Sequence, residues 1–230
     1  MSTIKYKSWR GWLDIKRREF LKAAATTIVV AATPIAVTSN AQSKDSRKRK
    51  RYAMYIDVSK CYGCMACVVA CAGENNVPIG GFRTWVERHV KPDGSVIFVP
   101  KQCNHCENAP CVHPCPTGAT FRREDGLVLV DHDLCIGCGA CVEACPYGAR
   151  YMNPVTGTVD KCTFCDHRLA KGLLPACVEA CPTGARVFGD LEEDGELKEL
   201  VESQPVEVLK SWTGAEPMIF YKGLPKEANR

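Results

Sequence analysis

The chain has 230 residues, enough for one large domain or two small ones, and 16 of them are cysteine while only 8% are aromatic. This cysteine content predicts a fold built partly around bound metal or disulfides rather than around a large aromatic core. The net charge of +4 comes from the first 51 residues, because residues 52–230 carry about −6. Overall basicity is therefore excluded as a reason to expect a nucleic-acid partner, and we expect none.

The N-terminal 1–41 segment has the pattern of a secretory signal. A charged region with Arg17 and Arg18 precedes a moderately apolar run, and a small-residue cleavage pattern ends at Ala41. The paired arginines resemble a twin-arginine signal, which exports folded proteins. A membrane anchor is disfavoured because a span needs about 20 apolar residues, and this run is shorter and contains Pro34. We expect cleavage after Ala41 and no membrane span in the mature chain; retention of the signal stays open.

Residues 42–51 form a polar and strongly basic linker. A solvated spacer is the favoured interpretation of such a charge run. Contact with anionic lipid headgroups and a nucleic-acid tract are the alternatives. No later segment has the length of a membrane span, so any contact with the bilayer would come through a partner.

All 16 cysteines fall into four groups that repeat one pattern. Each group ends in Cys-Val-x-x-Cys, and three continue as Cys-Pro-x-Gly-Ala, whereas Ala72 takes the proline position in the first group. Such self-similarity indicates an internal repeat. Group I is Cys61, Cys64, Cys67 and Cys71; group II is Cys103, Cys106, Cys111 and Cys115; group III is Cys135, Cys138, Cys141 and Cys145; group IV is Cys162, Cys165, Cys177 and Cys181.

Group III has the spacing C-x2-C-x2-C-x3-C-P, which is typical of bacterial [4Fe–4S] sites. Glycines such as Gly63, Gly137 and Gly139 let the backbone approach a metal–sulfur cube closely. Structural zinc and a disulfide framework are the remote alternatives, because neither explains four repeats of this spacing. No catalytic constellation stands out, so the residues predict a non-catalytic iron–sulfur protein that carries electrons.

Short hairpins are expected between the groups, because turn residues separate three pairs of strand-like segments. One amphipathic helix and two late strands follow group IV, and the late strands are expected to pack on a partner or on the core. The predicted pairs are 83–90 with 95–99, 121–123 with 127–130, and 150–152 with 158–160; the helix includes Leu191, Leu197, Leu200 and Val201 and ends at Pro205, and the late strands are 206–210 and 218–221.

Among the five histidines, His105 and His113 lie inside group II, where a ligand role is conceivable. Because group II already supplies four thiolates, we expect positions near the ligands or at the surface instead. Trp85 and Trp212 are expected to be packing residues rather than electron relays. The other histidines are His89, His132 and His167.

The four groups resemble the four-cluster iron–sulfur subunits of molybdopterin oxidoreductases, such as the dimethyl sulfoxide, polysulfide, thiosulfate and tetrathionate reductases. The similarity covers about residues 51–189 and the signal. Three runs look most like the tetrathionate reductase iron–sulfur (beta) subunits: RYAMYID at 51–57, FRREDGLVLVD at 121–131 and DKCTFCDHRLAKGLLPACVEAC at 160–181. The resemblance implies an α+β fold with two nested ferredoxin-like units, short β-hairpins, a C-terminal extension and four [4Fe–4S] clusters.

The resemblance also implies that the iron ligands cross between groups. Residues 52–101 and 160–190 would form the outer unit from groups I and IV, residues 102–159 the inner unit from groups II and III, and residues 191–230 the extension. The missing proline after Cys71 puts the local turn in doubt, but not the ligand. Cluster 1 would be held by Cys61, Cys64, Cys67 and Cys181; cluster 2 by Cys103, Cys106, Cys111 and Cys145; cluster 3 by Cys135, Cys138, Cys141 and Cys115; cluster 4 by Cys162, Cys165, Cys177 and Cys71.

The function implied by the resemblance is an electron relay, and the signal predicts that it works on the periplasmic or extracytoplasmic face of the membrane. Electrons would come from an integral-membrane, quinol-oxidising subunit and pass to a molybdopterin catalytic subunit that reduces tetrathionate or a related sulfur compound. The alternative is a quinone-linked membrane complex without molybdenum, of the nitrite- or sulfite-reduction type. The residues leave open the terminal substrate, the cluster potentials and the direction of flow.

Overall fold

Short strands and helices alternate along the chain, and the computed structural model describes them over residues 49–193 and 195–229. The mixture is α+β, as the sequence predicts. The strands are β1 (Tyr52–Asp57), β2 (Thr84–Val90), β3 (Val96–Gln102), β4 (Thr120–Arg122), β5 (Val128–Val130), β6 (Arg150–Met152), β7 (Val159–Lys161), β8 (Arg186–Asp190), β9 (Val206–Glu207) and β10 (Ile219–Lys222). The helices are α1 (Ala66–Glu74), α2 (Ala140–Glu143), α3 (Asp166–Leu169), α4 (Ala176–Glu179) and α5 (Glu196–Ser203), and 3₁₀ turns occur at Val58–Lys60, Ser211–Thr213 and Lys226–Asn229.

The sequence-predicted signal lies outside the described residues. Arg17, Arg18 and the cleavage position after Ala41 all belong to it, and most of the basic linker lies outside as well. In the described part of the chain, no helix combines the length and the apolar character needed to cross a bilayer.

The first strand, β1, lies inside a four-stranded sheet with the order β8-β1-β10-β9. Met54 of β1 pairs with Phe188 of antiparallel β8 and with Ile219 of parallel β10. Met54 belongs to the main apolar core, whereas its neighbour Tyr55 belongs to a smaller core that includes Leu197 of α5. Both faces of β1 are therefore covered, and the late strand β10 packs in the core of this chain.

All three predicted hairpins are present. Strands β2 and β3 pair from Thr84 opposite Gln102 to Val90 opposite Val96. The two shorter hairpins, β4–β5 and β6–β7, have three residues in each strand. Their turns contain the polar and glycine residues that the sequence indicates, which confirms the prediction to within a few residues at each end.

The helices that carry the cysteines differ in length for a local reason. Helices α2 and α4 end before Pro146 and Pro182, because a proline ring cannot continue the hydrogen-bonded turn. Helix α1 has Ala72 at the matching position and continues to Glu74. The missing proline thus lengthens this helix, which resolves the doubt about the turn after Cys71.

The C-terminal segment differs from the prediction in three details. Helix α5 begins at Glu196 rather than near Leu191, because Gly195 before it is extended. Strand β9 is shorter than 206–210, since Lys210 adopts a left-handed conformation that turns the chain away. Trp212 is 67% exposed in the turn that follows, so the prediction that it packs is wrong.

Candidate metal–sulfur centres

The cysteine side chains are all thiols, and none of the 16 forms a disulfide. Within residues 49–193 and 195–229, no three His, Cys, Asp or Glu side chains lie close enough together to hold one metal ion. The thiols instead surround cavities, which is a different arrangement from four ligands that converge on a single zinc ion.

Three cavities are each lined by four cysteines, of which three come from one group and one from another. Cavity A is lined by Cys61, Cys64, Cys67 and Cys181; cavity B by Cys71, Cys162, Cys165 and Cys177; cavity C by Cys103, Cys106, Cys111 and Cys145. The structure thus brings together three of the four sets that the resemblance implies.

Helix geometry explains why the last cysteine of a group leaves its own cavity. Cys67 and Cys71 lie one turn apart on α1, and they line cavities A and B respectively. Helix α4 packs against α1, and its Cys177 lines cavity B. Cys181 follows α4 and leads into β8 beside β1, which places its thiol in cavity A. The two helices therefore exchange their last cysteines.

The fourth set is described by the positions of its individual cysteines. Cys135 and Cys141 belong to an apolar cluster that also contains Cys106 and Cys111 of cavity C. Cys138 is exposed, and Cys115 lies just before β4. The convergence of these four thiols on one cube stays a prediction.

The cavities are neighbours in the order A, B, C and then the fourth set. Arg186 contacts Cys67 of cavity A at 3.6 Å and Cys177 of cavity B at 3.8 Å. Cys162 of cavity B lies close enough to Cys103 of cavity C for that thiol to contribute to its raised pKa. The shared apolar cluster then joins cavity C to Cys141. The cysteines thus form a continuous series.

The donor set fits [4Fe–4S] clusters, which bind through four thiolates. Burial, assisted by the nearby thiols Cys177 and Cys165, raises the pKa of Cys71 to about 12. Burial also raises the pKa of Cys106 to about 12 and that of Cys111 to about 11. Such thiols are neutral at pH 7 unless a metal takes their protons, so iron binding here releases protons.

Backbone N–H groups point at several of the sulfurs and stabilise the thiolate form. The amides of Thr120, Ala149 and Phe164 each lie 3.4 Å from a cysteine sulfur, namely Cys115, Cys145 and Cys162 respectively. At Cys115 the Thr120 amide is the main cause, and the Thr117 hydroxyl assists, of a pKa lowered to about 7. The Cys-Pro-x-Gly-Ala turn therefore supplies donors as well as ending the helix.

Sequence reasoning missed three buried cations beside the cavities. Arg186 and Arg150 are 3% exposed and Lys161 is 1% exposed. Arg150 donates to Cys111 Sγ at 2.9 Å, while Lys161 donates to the carbonyls of Cys162 and Val128. The sequence does contain a pattern that could have identified the two arginines, because each is the fifth residue after the last cysteine of its group.

A buried ion-pair network borders cavity B. Arg83 on the β2–β3 side pairs with Asp160 on β7 at 2.9 Å, and Asp160 also accepts the Tyr151 hydroxyl at 2.8 Å. Arg83 further donates to Asn75 Oδ1 at 3.0 Å, which leaves the Asn75 amide nitrogen 3.6 Å from the sulfurs of Cys71 and Cys165. This network joins the start of the β2–β3 hairpin to the β6–β7 hairpin.

The two histidines of group II occupy different environments. His105 is fully buried and stacks on Phe164, which lines cavity B, with ring centroids 3.9 Å apart. Burial, together with the nearby Lys161 charge, lowers the pKa of His105 well below 6.5, and its Nδ1 accepts the Val128 amide at 3.1 Å. His113 is exposed. Trp85 is partly buried against the main core, as expected.

Comparisons with known proteins agree with these sites. Residues 95–191 match the 4Fe-4S dicluster domain family, and residues 58–74 match a 4Fe-4S binding domain. The protein is 55% identical over 195 residues to the B subunit of tetrathionate reductase from Archaeoglobus fulgidus, covering 82% of this chain and 93% of that protein. It is 44% identical to the B subunit of the Salmonella typhimurium tetrathionate reductase (94% and 92% covered) and 46% identical to the B chain of the Wolinella succinogenes polysulfide reductase (74% and 93% covered).

The protein therefore belongs to the family of iron–sulfur B subunits of tetrathionate, polysulfide and thiosulfate reductases. It is a non-catalytic electron-transfer subunit that holds [4Fe–4S] clusters. The first conclusion confirms the resemblance, and the second confirms the prediction from the cysteine spacing.

Proposed function

We propose that this family member relays electrons from an integral-membrane, quinol-oxidising subunit to a molybdopterin catalytic subunit. The catalytic partner would reduce tetrathionate or a related sulfur compound. The observation that carries this proposal is the series of adjacent cavities lined by four thiols each. The two relatives from tetrathionate reductases support the choice of substrate class.

In this proposal each cavity holds one cube: cavity A cluster 1, cavity B cluster 4 and cavity C cluster 2. Cluster 3 is held by the remaining set, Cys115, Cys135, Cys138 and Cys141. Clusters 1 and 4 belong to an outer ferredoxin-like unit and clusters 2 and 3 to an inner unit nested within it. When bound, the cubes supply carriers that accept and release one electron at a time. The protein holds them close together and shields them from water.

The most exposed thiols support docking at the two ends of the series. Cys64 of cavity A and Cys138 of the fourth set are exposed, whereas every cysteine of cavity B is buried. Tyr62 near Cys64 is 58% exposed, and Ile136 near Cys138 is 66% exposed. Apolar side chains around an exposed thiol suit contact with a partner subunit, one at each end.

Metal analysis tests the proposal. The purified protein should contain about 16 iron atoms and about as much acid-labile sulfide, as four cubes require. A zinc-loaded or metal-free protein that is nevertheless active in electron transfer would contradict it. Purification of the intact complex then separates the two partner hypotheses: molybdenum in the complex supports the main one, and an iron-replete, quinone-linked complex without molybdenum supports the alternative.

The same proposal places the protein on the periplasmic face of the membrane after folded export by the twin-arginine route. The support is the sequence of the signal, with Arg17 and Arg18 before the apolar run. Replacing both arginines by lysine should leave iron-replete protein in the cytoplasm, because charge alone does not replace the paired arginines. Unchanged export of the double variant would overturn the localisation and leave the electron-transfer role untouched.

A further inference from the structure

Two buried arginines have no carboxylate partner in the part of the chain that the structure describes. Within residues 49–193 and 195–229, no carboxylate lies within ion-pair distance of Arg186 or Arg150, although both are only 3% exposed. An isolated buried charge is strongly unfavourable, so buried cations are normally paired. The anionic neighbours that the structure offers them are cysteine sulfurs.

Arg186 lies between cavities A and B. Its Nη2 donates to Cys67 Sγ at 3.6 Å and to Thr84 Oγ1 at 3.1 Å, while its Nη1 donates to Gln102 Oε1 at 2.7 Å and faces Cys177 Sγ at 3.8 Å. An arginine side chain keeps its positive charge in proteins. The cation is therefore fixed and charged between the two cavities.

Arg150 occupies the matching position in the inner pair of groups. Its Nη2 donates to Cys111 Sγ of cavity C at 2.9 Å, and its Nη1 donates to Thr120 Oγ1 at 3.3 Å. Thr120 in turn donates its backbone amide to Cys115 Sγ of the fourth set at 3.4 Å. This arginine thus lies where cavity C meets the fourth set.

The two positions are equivalent in the internal repeat. Arg186 and Arg150 are each the first residue of a strand, five residues after the last cysteine of their group, and each bonds to a threonine that begins the strand after the partner group. Thr84 begins β2 after group I, and Thr120 begins β4 after group II. The repeat therefore places one arginine, not two, in each pair of groups.

We propose that Arg186 and Arg150 set the reduction potentials of the clusters in pairs: Arg186 those of clusters 1 and 4, and Arg150 those of clusters 2 and 3. This inference rests on the proposed function, because it concerns the cubes held in the four sets. Reduction adds one electron to a cube and no proton to the arginine, so the fixed cation stabilises the reduced state more than the oxidised state. In a low-dielectric interior the Coulomb energy is larger than in water and falls with distance, so the two clusters that flank each arginine are affected most. Sharing one cation keeps the two potentials of a pair close together.

The test measures the midpoint potentials of all four clusters by EPR-monitored redox titration of the full chain. Arg186→Gln should decrease the equilibrium constant for reduction of clusters 1 and 4 at least tenfold. For one electron, this lowers each midpoint potential by about 59 mV. Clusters 2 and 3 should stay unchanged. Arg150→Gln should give the reverse pattern, and the two lysine variants should retain most of the wild-type potentials because they keep the charge.

A second variant changes the charge without removing the guanidinium. Gln102→Glu keeps the acceptor that Arg186 contacts at 2.7 Å and adds a carboxylate. It should lower the potentials of clusters 1 and 4 as Arg186→Gln does, and this test remains available if Arg186→Gln does not assemble. The matched control is Arg88→Gln, which removes one exposed positive charge from β2 and should shift no cluster, because water screens an exposed charge.

Three results would overturn the inference. The first is an unchanged midpoint potential in iron-replete Arg186→Gln or Gln102→Glu. The second is an equal shift of the potentials of all four clusters, and the third is an equal decrease in potential in the glutamine and lysine variants. The last result would indicate packing or hydrogen bonding rather than charge. Iron content and the number of EPR signals in the wild-type protein report on the proposed function separately. If the wild-type protein contains four clusters and the variants have unchanged potentials, only the inference is refuted.

Discussion

The outer pair of cysteine groups, I and IV, and the inner pair, II and III, use one repeat on two different scaffolds. In the outer pair, α1 packs on α4 and β8 pairs with β1, so distant parts of the chain meet there. In the inner pair, two hairpins with three-residue strands carry the same cysteine pattern. Both pairs nevertheless place an arginine and a threonine at the same two strand starts. The comparison indicates that the local repeat defines a site, while the surrounding scaffold is exchangeable.

The largest expected effect tests whether both pairs cross their last cysteines. Cys71→Ser removes a thiol from cavity B, and Cys145→Ser removes one from cavity C. Each should reduce the iron content from about 16 to about 12 atoms, because one cube is lost. Cys71→Ser should abolish the EPR signal of cluster 4, and Cys145→Ser that of cluster 2. Loss of the cluster 1 signal in Cys71→Ser would show that ligands stay within their group.

The next effect concerns the ion pair that joins the start of the outer β2–β3 hairpin to β7. Arg83→Gln leaves Asp160 buried without its cation, and breaking a buried pair in this way costs about 3 kcal/mol. The thermal unfolding midpoint of iron-replete protein should fall accordingly. Arg123→Gln is the control: its pair with Asp125 at 2.8 Å is partly exposed and contributes less than about 1 kcal/mol. Equal decreases for the two variants would contradict the distinction.

Equivalent glycines in groups I and III should differ in their tolerance of a side chain. A Cβ at Gly137 would lie 2.5 Å from the Gly157 carbonyl oxygen, whereas a Cβ at Gly63 would lie 2.6 Å from the Phe98 ring, which can move. Gly137→Ala should therefore lower the thermal unfolding midpoint more than Gly63→Ala.

The control for that comparison is Gly139→Ala, where the added Cβ meets open space at a similar positive φ. This variant should show only the strain of the left-handed conformation, about 1–2 kcal/mol. If Gly139→Ala were as unstable as Gly137→Ala, backbone strain rather than contact with Gly157 would explain both.

The smallest effect concerns Asn75, whose amide nitrogen faces the sulfurs of Cys71 and Cys165 at 3.6 Å. Asn75→Leu should lower the potential of cluster 4 alone, and by less than Arg186→Gln, because a neutral amide stabilises added charge less than a cation does. Asn75→Asp should lower it further, since the carboxylate adds repulsion. A rise in the potential of cluster 4, measured by redox titration, would rule out this role.

The fold was predictable where local residues dictate it. The three hairpins follow from their turn residues, and the short α2 and α4 follow from Pro146 and Pro182. Strands β1 and β8 have no counterpart among the predicted strands. Strand β1 is covered on both faces and lacks the alternation that marks a half-buried strand. Trp212 was placed wrongly because its exposure depends on the turn around it.

By itself, the sequence determined that this protein is an iron–sulfur electron carrier, because ligand spacing is a local property of the chain and leaves few other interpretations. Only the tertiary structure decided which thiols share a cavity and which charges lie between cavities. Cys67 and Arg186 are 119 residues apart, yet their side chains meet. In the sequence, only its place five residues after Cys181, which Arg150 repeats after Cys145, distinguishes Arg186 from a surface arginine. Its burial beside two sets of thiols depends on the pairing of β8 with β1 and on the packing of α4 against α1, which no local pattern specifies.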